Sequence, residues 1–233
     1  MTINKLKVDL VIPVFNEAPR MTPMLEVVTE SNLLRNIIVV DDGSTDDTSS
    51  VAGRFNIDHL HSHQVNRGKG AALATGLQSA KDADAVMFLD ADLINLNEQH
   101  LLSLIEPVAA DPRIGMSVGQ FIEGRWAVDM QQKWFAVLNG QRVLSRSFID
   151  RLPDLNWSRF GVEILMSRFA LDSKTPVATP YLRGITHVPK EEKFGLLLGF
   201  YARMKMYAEC LRGHVLYRLK VRRGEIVPIG AAG

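Results

Sequence analysis

Three short apolar runs in this chain each end in acidic side chains. Val8–Val14 leads into Asn16 and Glu17, Asn36–Asp41 closes on Asp41 and Asp42, and residues 85–89 lead into Asp90 and Asp92. Runs of Val, Ile and Leu without polar alternation mark strands buried on both faces, as in a parallel sheet. Helical patterns stand between them. These are residues 22–29 with Pro23 in the first turn, the stretch from a turn at 43–46 through Ala52, the Ala- and Leu-rich 68–80, and 97–109 capped by Asn97. Weaker strands fit 57–63 and 114–121. Strand and helix in alternation predict an α/β fold with a mostly parallel central sheet and helices on both faces. Ligands of such sheets sit beyond the carboxyl ends of the strands, which is where the acids fall.

Beyond Arg125 the pattern changes. Residues 127–138, 141–149 and 159–171 read as helices, and 175–187 as short strand pieces broken by Pro176, Pro180 and Gly184. Residues 194–219 read as one long helix, with Leu197, Tyr201, Met204, Ala208, Leu211 and Val215 at helical spacing. Arg203, Lys205, Arg212, Arg218, Lys220, Arg222 and Arg223 crowd the same tail. It reads as a basic amphipathic helix, suited either to pack on the core or to lie on an anionic membrane.

With 46% hydrophobic residues in 233, the chain has enough apolar surface for a full core. No apolar run approaches the roughly 20 residues that span a bilayer, and the first residues lack the pattern of a signal peptide. The single cysteine, Cys210, cannot form an internal disulfide and reads as a buried thiol in the reducing cytoplasm. A net charge of +1 gives no ground for a nucleic-acid partner.

Asp90 and Asp92 are two carboxylates on alternate residues leaving a strand, able to share one divalent cation with a substrate phosphate. Asp41 and Asp42 at another strand end can accept hydrogen bonds from a base or a ribose, while 44–47 can cap the next helix and Gly43 permits a tight turn. Asn66-Arg67-Gly68-Lys69-Gly70 opens a helix whose free N–H groups, with Lys69, favour an anion. It lacks the spacing of a P-loop or of a dinucleotide fingerprint.

Taken in order, Ile12-Pro13-Val14-Phe15-Asn16-Glu17, Val40-Asp41-Asp42-Gly43-Ser44-Thr45-Asp46, Asn66-Arg67-Gly68-Lys69-Gly70 and Phe88-Leu89-Asp90-Ala91-Asp92 resemble the GT-A-fold family 2 glycosyltransferases. Dolichyl-phosphate mannose synthases and glucosyl-3-phosphoglycerate synthases belong to that family. The resemblance implies a GT-A fold and transfer of a sugar from a UDP- or GDP-sugar, with Mg²⁺ or Mn²⁺ as cofactor. It places Pro13, Phe15, Glu17, Asp41, Asp42, Lys69, Asp90 and Ala91 on the donor, and Asp90, Asp92 and His187 on the metal. Gly140 and Arg142, in Gly140-Gln141-Arg142-Val143-Leu144, are similar to an acceptor-side segment, and Phe160-Gly161-Val162-Glu163 makes Glu163 the acceptor-side carboxylate. Asp92 and Glu163 are the catalytic candidates. The Glu-Asp base pair of many inverting relatives is absent.

The resemblance implies one domain over 1–233, with a nucleotide-sugar half at 1–124 and an acceptor half at 125–233. The expected partners are the donor, a phosphorylated or polyprenyl-phosphate acceptor, a membrane surface under the tail and a second copy in a homodimer. The expected location is the cytoplasm, at the inner membrane face. Two other readings stand beside it: a sugar-phosphate nucleotidyltransferase, whose Gly-rich loop is missing after the first run, and a non-catalytic nucleotide-sugar-binding protein.

Overall fold

The computed structural model describes residues 6–122, 139–187 and 196–228, except for the side chains of 196–203, 205–207 and 210. The helix expected over 127–138 and the side chains of Leu197, Tyr201, Arg203, Lys205 and Cys210 lie outside the described residues.

The first half follows the expected alternation. In chain order it runs β1 (Val8–Val14), α1 (Thr22–Glu30), β2 (Asn36–Asp41), α2 (Thr48–Ala52), β3 (His59–Ser62), α3 (Lys69–Ser79), β4 (Ala85–Phe88), β5 (Leu93–Ile94) and α4 (Glu98–Ala110). Pro23 stands in the first turn of α1, where its missing N–H costs nothing. Asn97 caps α4 reciprocally with His100, each side chain reaching the other's backbone N–H. The strand expected over 114–121 is split into β6 (Met116–Val118) and β7 (Gln120–Ile122).

The second half departs from expectation. The helix predicted over 141–149 is instead strand β8 (Arg142–Ser145) followed by a single turn, α5 (Arg146–Ile149). All four β8 residues are buried, so the strand shows no polar alternation and its short apolar run is indistinguishable by period from helix. A 3-10 helix (Asn156–Gly161) then leads into α6 (Val162–Asp172). The strands β9 (Val177–Ala178), β10 (Tyr181–Arg183) and β11 (Thr186–His187) precede the long helix α7 (Leu196–Arg222).

The central sheet has seven strands in the order β3-β2-β1-β4-β8-β6-β9. All its pairings are parallel except the two made by β8, which is antiparallel to both β4 and β6. Alternate strand residues feed two cores. Leu10, Ile12 and Val14 point to the side covered by Met24, Leu25, Leu101 and Leu104 of α1 and α4. Val11, Val40 and Phe88 point to the side covered by Leu73 of α3, Val162, Met166 and Phe169 of α6, and Tyr217 of α7. Parallel strands need this double cover, which explains their unbroken apolar runs.

Helix α3 lies against β1 at Gly76, where an added Cβ would collide with the Val11 side chain. Gly76→Val should therefore lower stability by about 1–3 kcal/mol, because two β-branched groups cannot share that space. Urea denaturation would read this as an earlier midpoint with an unchanged slope; an unchanged midpoint would show the α3–β1 contact to be slack.

Candidate active site

The carboxyl ends of β1, β2 and β4 open on one side of the sheet, and their loops are tied to each other by side chains. After β1, Asn16 takes a left-handed conformation (φ 56°). Its N–H donates to Ser44 Oγ (2.9 Å) and its side-chain oxygen accepts from Thr45 N (2.9 Å). Glu17 N donates to Thr48 Oγ1 (2.9 Å), and the Glu17 carboxylate receives Arg20 Nη1 at 3.2 Å. Pro13 is half-buried, and Phe15 stands at the rim 41% exposed.

The acidic pair after β2 is spent largely on the chain itself. Asp41 Oδ1 accepts from Ser44 N (2.9 Å) and Oδ2 from the Ser49 hydroxyl. Asp42, only 3% exposed, accepts from Arg67 N (2.9 Å) at Oδ1 and from Gly68 N (2.6 Å) at Oδ2. His63 Nδ1 lies 2.7 Å from the same Oδ1, and its Nε2 meets Thr75 Oγ1 at 2.9 Å. The expected ligand contact through Asp42 is thus replaced by a clamp. Three donors from the polypeptide fix the loop that opens α3, and little of the carboxylate faces solvent. Asp46 does turn its carboxylate to Thr48, as a local cap.

That clamp delivers Lys69. Its ammonium sits between two carboxylates, 2.5 Å from Asp90 Oδ1 and 2.6 Å from Glu163 Oε1, with its side chain 16% exposed. Burial alone would lower the Lys69 pKa, but the two carboxylates hold it above the ordinary range. Burial likewise disfavours ionised Asp90, yet Lys69 outweighs it and, helped by Gln141 and His187, holds Asp90 below the usual carboxylate range. Lys69, expected to meet a phosphate at a helix start, is instead a counter-ion to acids. One ammonium faces two carboxylates, and the buried Arg142 lies beneath them as a second cation.

Residues 139–141 close the other side. Gln141 Nε2 donates to Asp90 Oδ2 at 3.0 Å. Gly140 lies against the pair so closely that an added Cβ would come within 2.7 Å of Lys69 Nζ. Arg142, expected to contact an acceptor, is fully buried in β8. Its Nε donates to the Asn139 carbonyl (2.7 Å) and its Nη1 to Ser167 Oγ (2.9 Å). Desolvation lowers its pKa to about 10, against the pull of Glu163 and Asp90. A side chain without accessible surface cannot meet a substrate, so Arg142 is a structural cation beneath the site. Glu163, only 6% exposed in the first turn of α6, is no surface residue of an amphipathic helix.

Asp92 and His187 arrive on a small sheet of their own. β11 pairs antiparallel with β5 and sets His187 opposite Leu93, the residue after Asp92. The His187 ring lies 6.1 Å from that of Phe121. Ala91 between the two acids is buried. Among the described residues no three His, Cys, Asp or Glu side chains converge as a ready-made metal cage. The three-residue metal set is therefore brought into one neighbourhood without being closed.

Residues 9–173 match the sequence profile of the family described as glycosyl transferase family 2. The chain belongs to that family. Among relatives of this family 2 chain, the dolichyl-phosphate beta-glucosyltransferase ALG5C of Trichomonas vaginalis is 34% identical over 95 residues, covering 35% of the chain and 28% of the relative. The undecaprenyl-phosphate 4-deoxy-4-formamido-L-arabinose transferase of Proteus mirabilis is 35% identical over 102 residues, covering 40% of the chain and 31% of the relative. The matches thus span less than a third of these relatives' lengths. Glucosyl-3-phosphoglycerate synthase from Mycobacterium tuberculosis, solved with Mn²⁺, UDP and glucosyl-3-phosphoglycerate, superimposes with a TM-score of 0.72 at 22% identity, over 91% of this chain and 80% of that one. The GT-A fold expected from the motifs is the fold observed.

Two partners in this site carried no signal in the sequence. His63 meets Asp42 across 21 residues, and Gln141 meets Asp90 across 51. Lys69→Met should cost about 2–3 kcal/mol, because two largely enclosed carboxylates lose their shared cation while Asp90 keeps some solvent. Adding Glu163→Gln should return at least about 1 kcal/mol if the three act as one unit. Strictly additive losses in thermal melts would separate them.

Proposed function

We propose that this family 2 chain transfers a sugar from a nucleotide-sugar donor, UDP-linked in preference to GDP-linked, to a phosphorylated or polyprenyl-phosphate acceptor, using Mg²⁺ or Mn²⁺. The observation that carries the proposal is the Asp90–Lys69–Glu163 cluster at the carboxyl edge of the sheet, with Asp92 and His187 brought alongside by β5 and β11. The mycobacterial structure with Mn²⁺ and UDP supports the choice of metal and nucleotide. The two polyprenyl-type relatives support the acceptor class.

The residues fit such a cation. Asp90 is held ionised, Asp92 follows it two residues on, and His187 adds a nitrogen acceptable to Mn²⁺. An open set of two carboxylates suits an ion that completes its shell with substrate phosphates. Bound there, it supplies Lewis-acid stabilisation to the leaving nucleoside diphosphate. Exposed Phe15, with half-buried Pro13 and Glu17 beside it, forms the wall against which a nucleoside stacks, while Asp41 and Asp42 hold that wall's loops in place. Lys69 keeps Asp90 charged and fixes Glu163, whose carboxylate orients the acceptor next to Gly140. Because Lys69 and Glu163 come from opposite halves of the chain, we read 1–233 as one catalytic domain.

A thermal-shift screen of UDP- and GDP-sugars, with and without Mn²⁺, tests the donor. The matching donor at a hundredfold excess over its dissociation constant should stabilise the chain by about 2.7 kcal/mol, and only with metal present. No shift with any nucleotide sugar would sink the reading. Asp92→Asn should cut donor turnover by about a hundredfold or more while leaving the melting curve of the free chain in place. Near-normal turnover would remove Asp92 from the mechanism.

A further inference from the structure

The long helix α7 has two apolar sides. Its inner side packs through Gly213, which meets Gly161 backbone to backbone, and through buried Tyr217, whose hydroxyl donates to Asp172 Oδ2 at 2.8 Å. Its outer side does not pack. Met204, Leu211, Val215 and Leu219 are 48%, 66%, 47% and 39% exposed, and Ala208 between them is exposed too. Steps of three and four residues put these five on one stripe, about 22 Å long at 1.5 Å per residue. The spacing that fitted either a core-packing or a membrane-facing helix marks the solvent face. Apolar residues on both sides also mean that α7 is not amphipathic in the simple sense expected of it.

The exposed charges bordering that stripe are mostly basic. Arg212, Arg218 and Arg222 are exposed at its borders, and none has an ion-pair partner among the described residues. The acids on or near α7 are paired, Asp172 in the groove beside it standing 3.7 Å from Arg168 Nη2 and accepting from the Tyr217 hydroxyl. Glu209 faces Arg159, and Glu225 takes Lys220 (2.6 Å) and Arg223 (3.7 Å). Lys220 itself turns inward over the Trp157 ring. Beside the stripe, Arg168, Asp172, Tyr217, Arg218, Val221 and Arg222 line an open groove of about 350 Å³. Arg168 Nε in this groove is buried without a hydrogen-bond partner.

We propose that the outer face of α7 docks on an anionic lipid membrane, the apolar stripe entering the headgroup boundary and lipid phosphates meeting Arg212, Arg218 and Arg222. An apolar line flanked by unpaired arginines is the chemistry that such a surface recognises. A second copy of the chain would cover the stripe too, but the pairing would bring the exposed Arg212, Arg218 and Arg222 of one copy towards those of the other. Among the described residues no helix is long and apolar enough to cross a membrane, so this contact is one of lying on the surface. The proposal goes beyond sugar transfer and does not depend on it.

The test is sedimentation of the full chain with vesicles, without donor or acceptor, so that its outcome is separate from that of the transfer assay. The chain should pellet with mixed phosphatidylcholine–phosphatidylglycerol vesicles and stay in solution with pure phosphatidylcholine. Arg218→Gln with Arg222→Gln should weaken binding about thirtyfold, the equivalent of about 2 kcal/mol for two cations at the surface. Leu211→Ser with Val215→Ser should weaken it at least tenfold, with the melting temperature unchanged because both side chains are exposed. Equal partition of the parent and both variants would overturn the proposal. So would a parent dimer in analytical ultracentrifugation that Leu211→Ser with Val215→Ser dissolves, since the stripe would then be an interface between copies. Unchanged binding of the Arg218→Gln with Arg222→Gln variant to the anionic vesicles, together with a phosphate-induced rise in melting temperature that this variant loses, would overturn it as well, making the arginines a site for a free anion.

Discussion

Lys69 is the cation on which the two halves of this molecule meet. Its ammonium answers Asp90 from the loop after β4 and Glu163 from the first turn of α6, 73 residues further on in the chain. Taking these charged side chains largely out of water is costly even when they are paired. Such an arrangement is poor as a stabilising device and makes sense as a poised one. It aims two carboxylates at the carboxyl edge of a sheet and holds Asp90 ionised. The buried Arg142 below the pair tempers that charge without being able to reach a substrate.

Much of the surrounding sequence is explained by the need to put Lys69 there. Asp42 receives the N–H groups of Arg67 and Gly68 and thereby fixes the first turn of α3, with His63 and Thr75 bracing the carboxylate from behind. Gly140 leaves the room that any side chain would take from the Lys69–Asp90 pair. The antiparallel insertion of β8 between β4 and β6 is what carries Gly140 and Gln141 to the end of β4. Without that reversal, the chain after β6 would have no reason to return to Asp90. The single antiparallel strand in the middle of the sheet is thus a feature of the site as much as of the fold.

How much of this was legible in the sequence depended on how local the cause was. β1, β2 and β4 were legible because burial on both faces writes itself as an unbroken apolar run. α1 and α4 were legible because Pro23 and Asn97 act within one turn of themselves. β8 was not, since four buried residues carry no period. The site split the same way. Asp90, Asp92, Glu163 and His187 were singled out by motif; Lys69 joins Asp90 to Glu163, and the β5–β11 pairing sets His187 opposite Leu93, next to Asp92. The partners were misassigned where long-range geometry decides. A lysine among glycines at a helix start looks like a phosphate ligand until α6 supplies Glu163. An Asp-Asp pair at a strand end looks like a ribose ligand until its hydrogen bonds are traced to Ser44, Ser49, Arg67 and Gly68.

The long helix illustrates the same limit from the opposite direction. Periodicity shows that Met204, Ala208, Leu211 and Val215 share a face; it does not show which way that face looks. The deciding residues are small and polar. Gly213 permits the backbone contact with Gly161, and the Tyr217 hydroxyl finds Asp172, so the helix is anchored through the side that carries Gly213 and Tyr217. Once that side is fixed inward, the stripe has no direction left but outward. The same anchor ties α7 to the 3-10 helix, whose Arg159 stands against Gly68, one residue before Lys69. Outer surface and reaction centre are thus joined by a short, continuous line of backbone contacts, through glycines at each crossing.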